Sequence, residues 1–231
     1  LEEGETGIDL ADALINNYLE AGTTGYDILD QIIEKFLGTE SMNDKMTQML
    51  TKYLTEGTTG SEKFDTLIEN YLQNGTTGNA EMDEAINDFI KNGSLDDLLS
   101  NMLNKYIADG TTGNTVIDGM LEKFLRTGST GNTTIDDVIK DYLKTDKFMD
   151  KIEELLTKYL VEGATGNKLL DELIGNYMKD GKTGNPVLDE LINAYIDEML
   201  KELDDKKVGE LVKKYLADKT TGNDLYDALL K

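Results

Sequence analysis

The sequence contains no cysteine, no histidine and no tryptophan among its 231 residues, and it holds one proline and one arginine. Without cysteine it forms neither a disulfide nor a thiolate metal site. Without histidine and cysteine it lacks the commonest general base, the commonest zinc ligands and the thiol nucleophile. No catalytic, cofactor-binding or metal-ligating residues stand out, so we expect no enzyme and no cofactor.

Charge of one sign dominates the chain. Aspartate and glutamate number 46 against 23 lysine and arginine residues, which gives a net charge of −23. Such a field repels nucleic-acid phosphates and anionic lipid surfaces. No apolar run approaches the roughly 20 residues that span a bilayer, and no signal peptide opens the sequence as given. We expect a soluble protein with no nucleic-acid or membrane partner, cytoplasmic in a recombinant host and otherwise of unknown localisation.

A four-residue element, G-x-T-G, recurs along the whole chain. Its copies begin alternately 18 and 35 residues apart, so the full period is 53 residues. In the ninth copy Lys219 replaces the leading glycine and arrives three residues late, after an irregular stretch at 196–210. The pattern predicts one repeat domain over 1–231, made of repeats at 4–56, 57–109, 110–162 and 163–218 and a partial repeat at 219–231.

Each repeat is predicted to contain three amphipathic helices. After Gly184, for example, apolar residues fall at i, i+3, i+4, i+7 and i+8, which places them on one face of a helix. Helices of this length are marginal alone, so stacking against neighbouring repeats has to supply most of their stability. The predicted fold class is all-α, an α-solenoid of 53-residue three-helix repeats joined by short G-x-T-G loops.

The loop residues suit helix ends. The leading glycine fits the left-handed position that terminates a helix. The threonine fits an N-cap whose hydroxyl accepts a hydrogen bond from the next helix, and Thr59 to Glu62 reads as a capping box. Ser41, Ser94 and Asp146 are the predicted N-caps of the third helices. The recurring threonines are Thr24, Thr59, Thr77, Thr112, Thr130, Thr165 and Thr183.

An aspartate follows the last loop glycine by five residues in every copy. One hypothesis is a ladder of carboxylates that binds cations. The favoured interpretation is structural, in which each carboxylate accepts hydrogen bonds from loop N–H or threonine hydroxyl groups of an adjacent repeat. The recurring aspartates are Asp30, Asp65, Asp83, Asp118, Asp136, Asp171 and Asp189.

An aromatic residue occupies one equivalent slot in all twelve predicted helices. The slot lies inside the apolar stripe, which favours packing between helices over an aromatic binding ladder. Four aromatics fall outside it, and they are candidate contacts for a partner: Tyr26, Phe64, Phe148 and Tyr226. The slot residues are Tyr18, Phe36, Tyr53, Tyr71, Phe89, Tyr106, Phe124, Tyr142, Tyr159, Tyr177, Tyr195 and Tyr215.

In its regularity the chain resembles de novo designed α-helical tandem-repeat proteins. The near-constant loop spacing, the uniform binary pattern and the restricted composition carry this resemblance. It implies a structural scaffold without a natural ligand or partner, expected to be a monomer, with end-to-end stacking left open. The alternative is a natural α-solenoid segment that binds a protein or peptide on its concave face; the non-identical repeats and the irregular stretch at 196–210 favour that origin.

Overall fold

Twelve α-helices account for the fold of the part of the chain that the computed structural model describes, residues 8–37, 39–91, 96–201, 205–222 and 227, and no strand lies in these ranges. The predicted all-α repeat is confirmed. The helices are α1 Asp9–Ala21, α2 Asp27–Leu37, α3 Glu40–Glu56, α4 Glu62–Asn74, α5 Ala80–Lys91, α6 Asp96–Asp109, α7 Thr115–Thr127, α8 Thr133–Leu143, α9 Asp146–Glu162, α10 Lys168–Asp180, α11 Pro186–Lys201 and α12 Asp205–Asp218.

Each predicted repeat holds three of these helices, in the order α1–α3, α4–α6, α7–α9 and α10–α12. The three extra residues near 200 lengthen the second helix of the last repeat. There α11 has 16 residues, whereas its counterparts α2, α5 and α8 have 11 or 12. Pro186 is the first residue of α11, where a proline is tolerated because the first turn needs no backbone donor. None of the described helices is long and apolar enough to cross a membrane.

The described helices other than α2 and α12 bury residues of the apolar stripes that the sequence predicts. In α7, residues Ile117, Leu121 and Phe124 have no exposed surface. Full burial of one such side chain stabilises the folded state by about 1.5–3 kcal/mol relative to an exposed position. The stripe positions are spaced at three and four residues, so a single face of each helix carries the core.

The chain divides into two compact units. The first comprises residues 1–106, 111–121 and 129–138, and the second comprises residues 107–110, 122–128 and 139–231. Within the first, α5 contacts both α2 and α3, and α3 also contacts α2 and α4. Within the second, α9 contacts α10. That all 231 residues form a single repeat domain stays a prediction.

Lys219 adopts the left-handed backbone conformation that the leading glycine has in other copies of the loop. Its backbone has φ of 60°, and it is the one described residue other than glycine with a positive φ. Its N–H donates to the Tyr215 carbonyl at 2.8 Å, as the leading glycine of other copies does at the same place. The helix end therefore keeps its left-handed conformation although a β-carbon makes that conformation costly.

We predict that Lys219→Gly stabilises the protein by about 0.5–1 kcal/mol, because removing the β-carbon relieves more strain than the added freedom of the unfolded chain costs. Urea unfolding measures the change. The matched control is Lys213→Gly inside α12, which should destabilise by about 1 kcal/mol. A loss of stability in both variants would contradict the account of Lys219.

Candidate functional site

The candidate site is the connection between helices, which we call the loop joint: the G-x-T-G element, the residue after it and the recurring aspartate. It opens with a glycine that ends a helix. Gly128, with φ of 83°, donates its N–H to the Phe124 carbonyl at 2.7 Å. The predicted left-handed helix end is confirmed here and at Gly22, Gly57, Gly75, Gly163 and Gly181.

The threonine of each loop joint forms hydrogen bonds with other residues of the same joint. The Thr130 hydroxyl donates to Oδ1 of Asp136 at 2.6 Å and accepts the N–H of Asn132 at 3.0 Å. All seven predicted threonines repeat both bonds, at 2.5–2.6 Å and 3.0–3.2 Å: Thr24, Thr59, Thr77, Thr112, Thr130, Thr165 and Thr183.

The threonine is nevertheless not the N-cap, and this prediction was wrong. Every helix that follows a described threonine begins three residues after it, so the N-cap is the residue after the last glycine. The capping box at Thr59 is also wrong, because Ser61 is the N-cap of α4 and makes no side-chain cap bond. The threonine hydroxyl instead satisfies the N–H of the N-cap residue, which closes a turn just before the helix.

Two of the predicted N-caps of the third helices are also misplaced. Ser41 lies in the first turn of α3, whose N-cap is Thr39. Asp146 is the first residue of α9, whose N-cap is Thr145. Ser94 lies outside the described residues. In both described cases the threonine itself has an extended backbone, which sets the cap one or two residues earlier than the sequence pattern suggested.

The recurring aspartate accepts the donors of its own loop. Oδ1 of Asp136 accepts the N–H and the hydroxyl of Thr130, both at 2.6 Å, and Oδ2 accepts the Ser129 hydroxyl at 2.6 Å. The predicted acceptor role is therefore seen, but the donors precede the same helix and do not come from an adjacent repeat. The two bonds to Oδ1 recur at Asp30, Asp65, Asp83, Asp118, Asp136, Asp171 and Asp189.

These hydrogen bonds favour the ionised carboxylate. Donation from the hydroxyls of Thr23 and Thr24 holds the pKa of Asp30 below its ordinary value. For Asp65, burial raises the pKa, but the bonds from Thr58 and Thr59 and the charge of Lys52 outweigh that effect, so its pKa is lowered as well. The folded state therefore binds these protons more weakly than the unfolded chain does.

A buried asparagine completes five of the described loop joints, and the sequence analysis missed it. Oδ1 of Asn132 accepts the N–H groups of Thr134 and Ile135, while Nδ2 donates to the Tyr71 carbonyl at 2.7 Å. We call this amide-to-carbonyl bond the amide bridge. It joins the start of one helix to the end of another that lies 60 or 61 residues earlier, and it recurs at Asn79, Asn114, Asn132, Asn167 and Asn185.

Asparagine is missing from the three copies of the joint nearest the beginning of the sequence. Ile8, Tyr26 and Ser61 stand there. Asn223 follows the ninth copy and lies outside the described residues. The recurrence of asparagine directly after the loop was visible in the sequence, and it could have identified this position.

A lysine supports the loop from the preceding helix. Nζ of Lys105 donates to the Thr112 carbonyl at 2.7 Å. Lys52, Lys158 and Lys214 donate in the same way, each to the carbonyl of the threonine seven residues later in the sequence. These lysines recur in every third helix, which is a signal that the sequence analysis also missed. Their charge lies near the carboxylate of the joint, where it offsets part of the local negative field.

The aromatic slot is mainly a packing position. Its residues are buried in α1, α3, α4, α5, α6 and α7 and half-buried in the later helices, whereas Phe36 in α2 is exposed. The hydroxyls of Tyr53 and Tyr71 donate to Glu69 and Asn87 on the next helix. The buried Tyr18 hydroxyl has no such partner in the described structure, and burial raises the pKa of Tyr18 to about 12.

The aromatics outside the slot differ in exposure. Tyr26 is exposed, Phe64 is half-buried and Phe148 is buried against Tyr142. Tyr226 lies outside the described residues. Among the residues described, no group of three or more acidic side chains is placed to hold a metal ion.

Comparisons with known proteins give no relative. No family model matches the chain, and no curated protein and no solved structure matches it.

We predict that Asn132→Ala destabilises the protein by about 2–4 kcal/mol, because it removes an N-cap and leaves a buried carbonyl and two N–H groups without their partner. Urea unfolding followed by circular dichroism measures the change. Ser61→Ala is the matched control at the same joint position, and it should change stability by less than about 0.5 kcal/mol. Equal effects at the two positions would show that the amide bridge contributes nothing.

We predict that the contribution of Asp65 to stability disappears in acid. Its pKa is lower in the folded state, so the contribution is complete above about pH 4 and is lost as pH falls through the folded-state pKa. The measurement is the difference in unfolding free energy between the wild type and Asp65→Asn, taken from about pH 7 to about pH 3. A difference that does not shrink in acid would contradict the prediction.

Proposed function

We propose that this protein is a structural helical-repeat scaffold that has no catalytic activity and requires no ligand. The observation that carries the proposal is the closure of the loop joint on the chain itself. Each described recurring threonine, aspartate and asparagine forms hydrogen bonds with donors and acceptors of the same chain, as Asp136 does with Thr130 and Ser129. Side chains engaged in this way stabilise an architecture and present little to a substrate.

The composition supports the same proposal. A chain without histidine and cysteine has few means of nucleophilic or acid–base catalysis at neutral pH. The regular spacing and restricted alphabet favour a designed origin as the working hypothesis. A natural segment that binds a peptide or protein is the alternative, and Tyr26 is the one described aromatic outside the slot that is exposed, which gives it little support.

A scaffold of interchangeable repeats should tolerate the loss of one whole repeat. Deletion of residues 110–162 shifts Asn167 and Asn185 by one period, so their amides meet the Tyr53 and Tyr71 carbonyls. Those carbonyls are the partners of Asn114 and Asn132 in the intact chain. We predict that this variant keeps its helical content per residue and unfolds cooperatively at a lower temperature, because the shorter array retains all types of joint.

The matched control is deletion of residues 110–139, which is not a multiple of the period and brings the remaining amides opposite the wrong carbonyls. Circular dichroism and calorimetry compare the two variants. The proposal predicts that the control loses cooperative unfolding while the whole-repeat deletion keeps it. Failure of both variants to fold would argue for a single globular architecture in place of modular repeats.

A further inference from the structure

The first repeat exposes an apolar stripe that later repeats bury. In α2, Leu29, Ile32 and Phe36 lie on the surface, and the latter two side chains are 58% and 54% exposed. The positions 53 residues later in α5 include Met82 and Phe89, which are 1% and 6% exposed. We call Leu29, Ile32 and Phe36 the N-terminal patch.

The last complete repeat exposes the complementary stripe. Val208, Val212 and Leu216 lie on one face of α12 and are 42%, 38% and 66% exposed. Their counterparts in α3 are at most 3% exposed: Met46, Leu50 and Leu54. We call Val208, Val212 and Leu216 the C-terminal patch.

Inside the chain, these two kinds of stripe belong to helices that contact each other. Within the first compact unit α3 contacts α5, and each helix buries its stripe. The C-terminal patch repeats the stripe of α3, and the N-terminal patch repeats the stripe of α5. The exposed patches therefore repeat the buried stripes of two helices that the protein already packs against each other.

We propose that the C-terminal patch of one copy of this protein binds the N-terminal patch of a second copy, in the manner in which α3 contacts α5. The charges of the two helices favour a second copy as the partner. In a chain of net charge −23, α12 carries four lysines against three acidic residues, whereas α2 carries three acidic residues against one lysine. Opposite local charges favour the pairing of unlike ends over the pairing of like ends.

The proposed contact is heterologous, so each copy retains one free patch and further copies can add. The resemblance to designed repeat proteins implied a monomer and left end-to-end stacking open, and the exposed patches favour stacking. The choice of a second copy over an unrelated partner rests on the α3–α5 contact, which joins two helices that carry these stripes.

Two features make the contact between copies weaker than the contact inside the chain. First, Ser61 stands where Asn114 makes its amide bridge to Tyr53, so no amide reaches the Tyr215 carbonyl of the incoming copy. Second, residues 216–231 of one copy correspond in sequence to residues 1–16 of the other in this register, so the pair carries this part of the repeat twice. We therefore expect reversible association, with dissociation constants in the range of about micromolar to millimolar.

The test uses one variant at each end, Phe36→Asp and Leu216→Asp, studied alone and mixed by sedimentation velocity. Both side chains are exposed, so the variants should keep the fold, which circular dichroism and the melting temperature check. Val161→Asp is the matched control, because Val161 is 54% exposed and lies outside both patches. The wild type and the control should form dimers and longer assemblies as concentration rises.

Each single-end variant should bind itself at least about tenfold more weakly than the wild type does, since an aspartate then lies in an apolar contact. The mixture should restore a dimer that does not grow, because each variant supplies the intact patch that the other lacks. A wild type that stays monomeric up to about millimolar concentration overturns the proposal. So does a Leu216→Asp variant that still dimerises alone, or a mixture that forms no dimer.

A gain of affinity tests the register. Ser61→Asn introduces the missing amide opposite the Tyr215 carbonyl of the second copy. We expect it to tighten association about two- to tenfold, the usual effect of one added hydrogen bond. Unchanged or weaker association would contradict pairing in the register of the internal repeats.

Discussion

The amide bridge is the interaction on which the rest of the structure depends. A helix leaves N–H groups unsatisfied at its start and carbonyls unsatisfied at its end. One buried asparagine satisfies groups of both kinds, because Asn132 accepts hydrogen bonds from two N–H groups of α8 and donates one to a carbonyl in the last turn of α4. A buried amide is costly when it is misplaced. The bridge therefore selects one register between repeats among the several that apolar packing would tolerate.

The loop joint fixes the backbone conformation next to that asparagine. The threonine and aspartate bind each other within one loop and hold that loop in one conformation. The leading glycine ends the previous helix at a defined residue, and Lys219 shows that the same backbone forms even where a side chain opposes it. Because these contacts are local, the asparagine makes its long-range bond with little further loss of conformational freedom. This saving helps to stabilise helices that are marginal alone.

The ends of the array show the limits of a repeated pattern. Every second and third helix carries an apolar stripe, yet the stripe is buried in α3 and α5 and exposed in α2 and α12. The periodicity of the sequence specifies which face of a helix is apolar, but a neighbouring helix has to bury that face. The apolar stripe therefore recurs in repeats where it is exposed as well as in repeats where it is buried.

The sequence by itself determined the twelve helices, the 53-residue period, the glycine helix ends and the structural importance of the recurring threonines and aspartates. The helices, the glycine helix ends and the threonine–aspartate contacts rest on interactions within about eight residues, which local spacing records directly. It misplaced the N-cap because threonine and asparagine are both good caps, whereas the structure gives the extended N-cap conformation to the residue after the last glycine, as at Asn167. Only the tertiary structure decided which stripes are buried and where the amide of Asn132 goes. A bond to a carbonyl 61 residues away depends on how whole helices pack, and no local pattern encodes that distance.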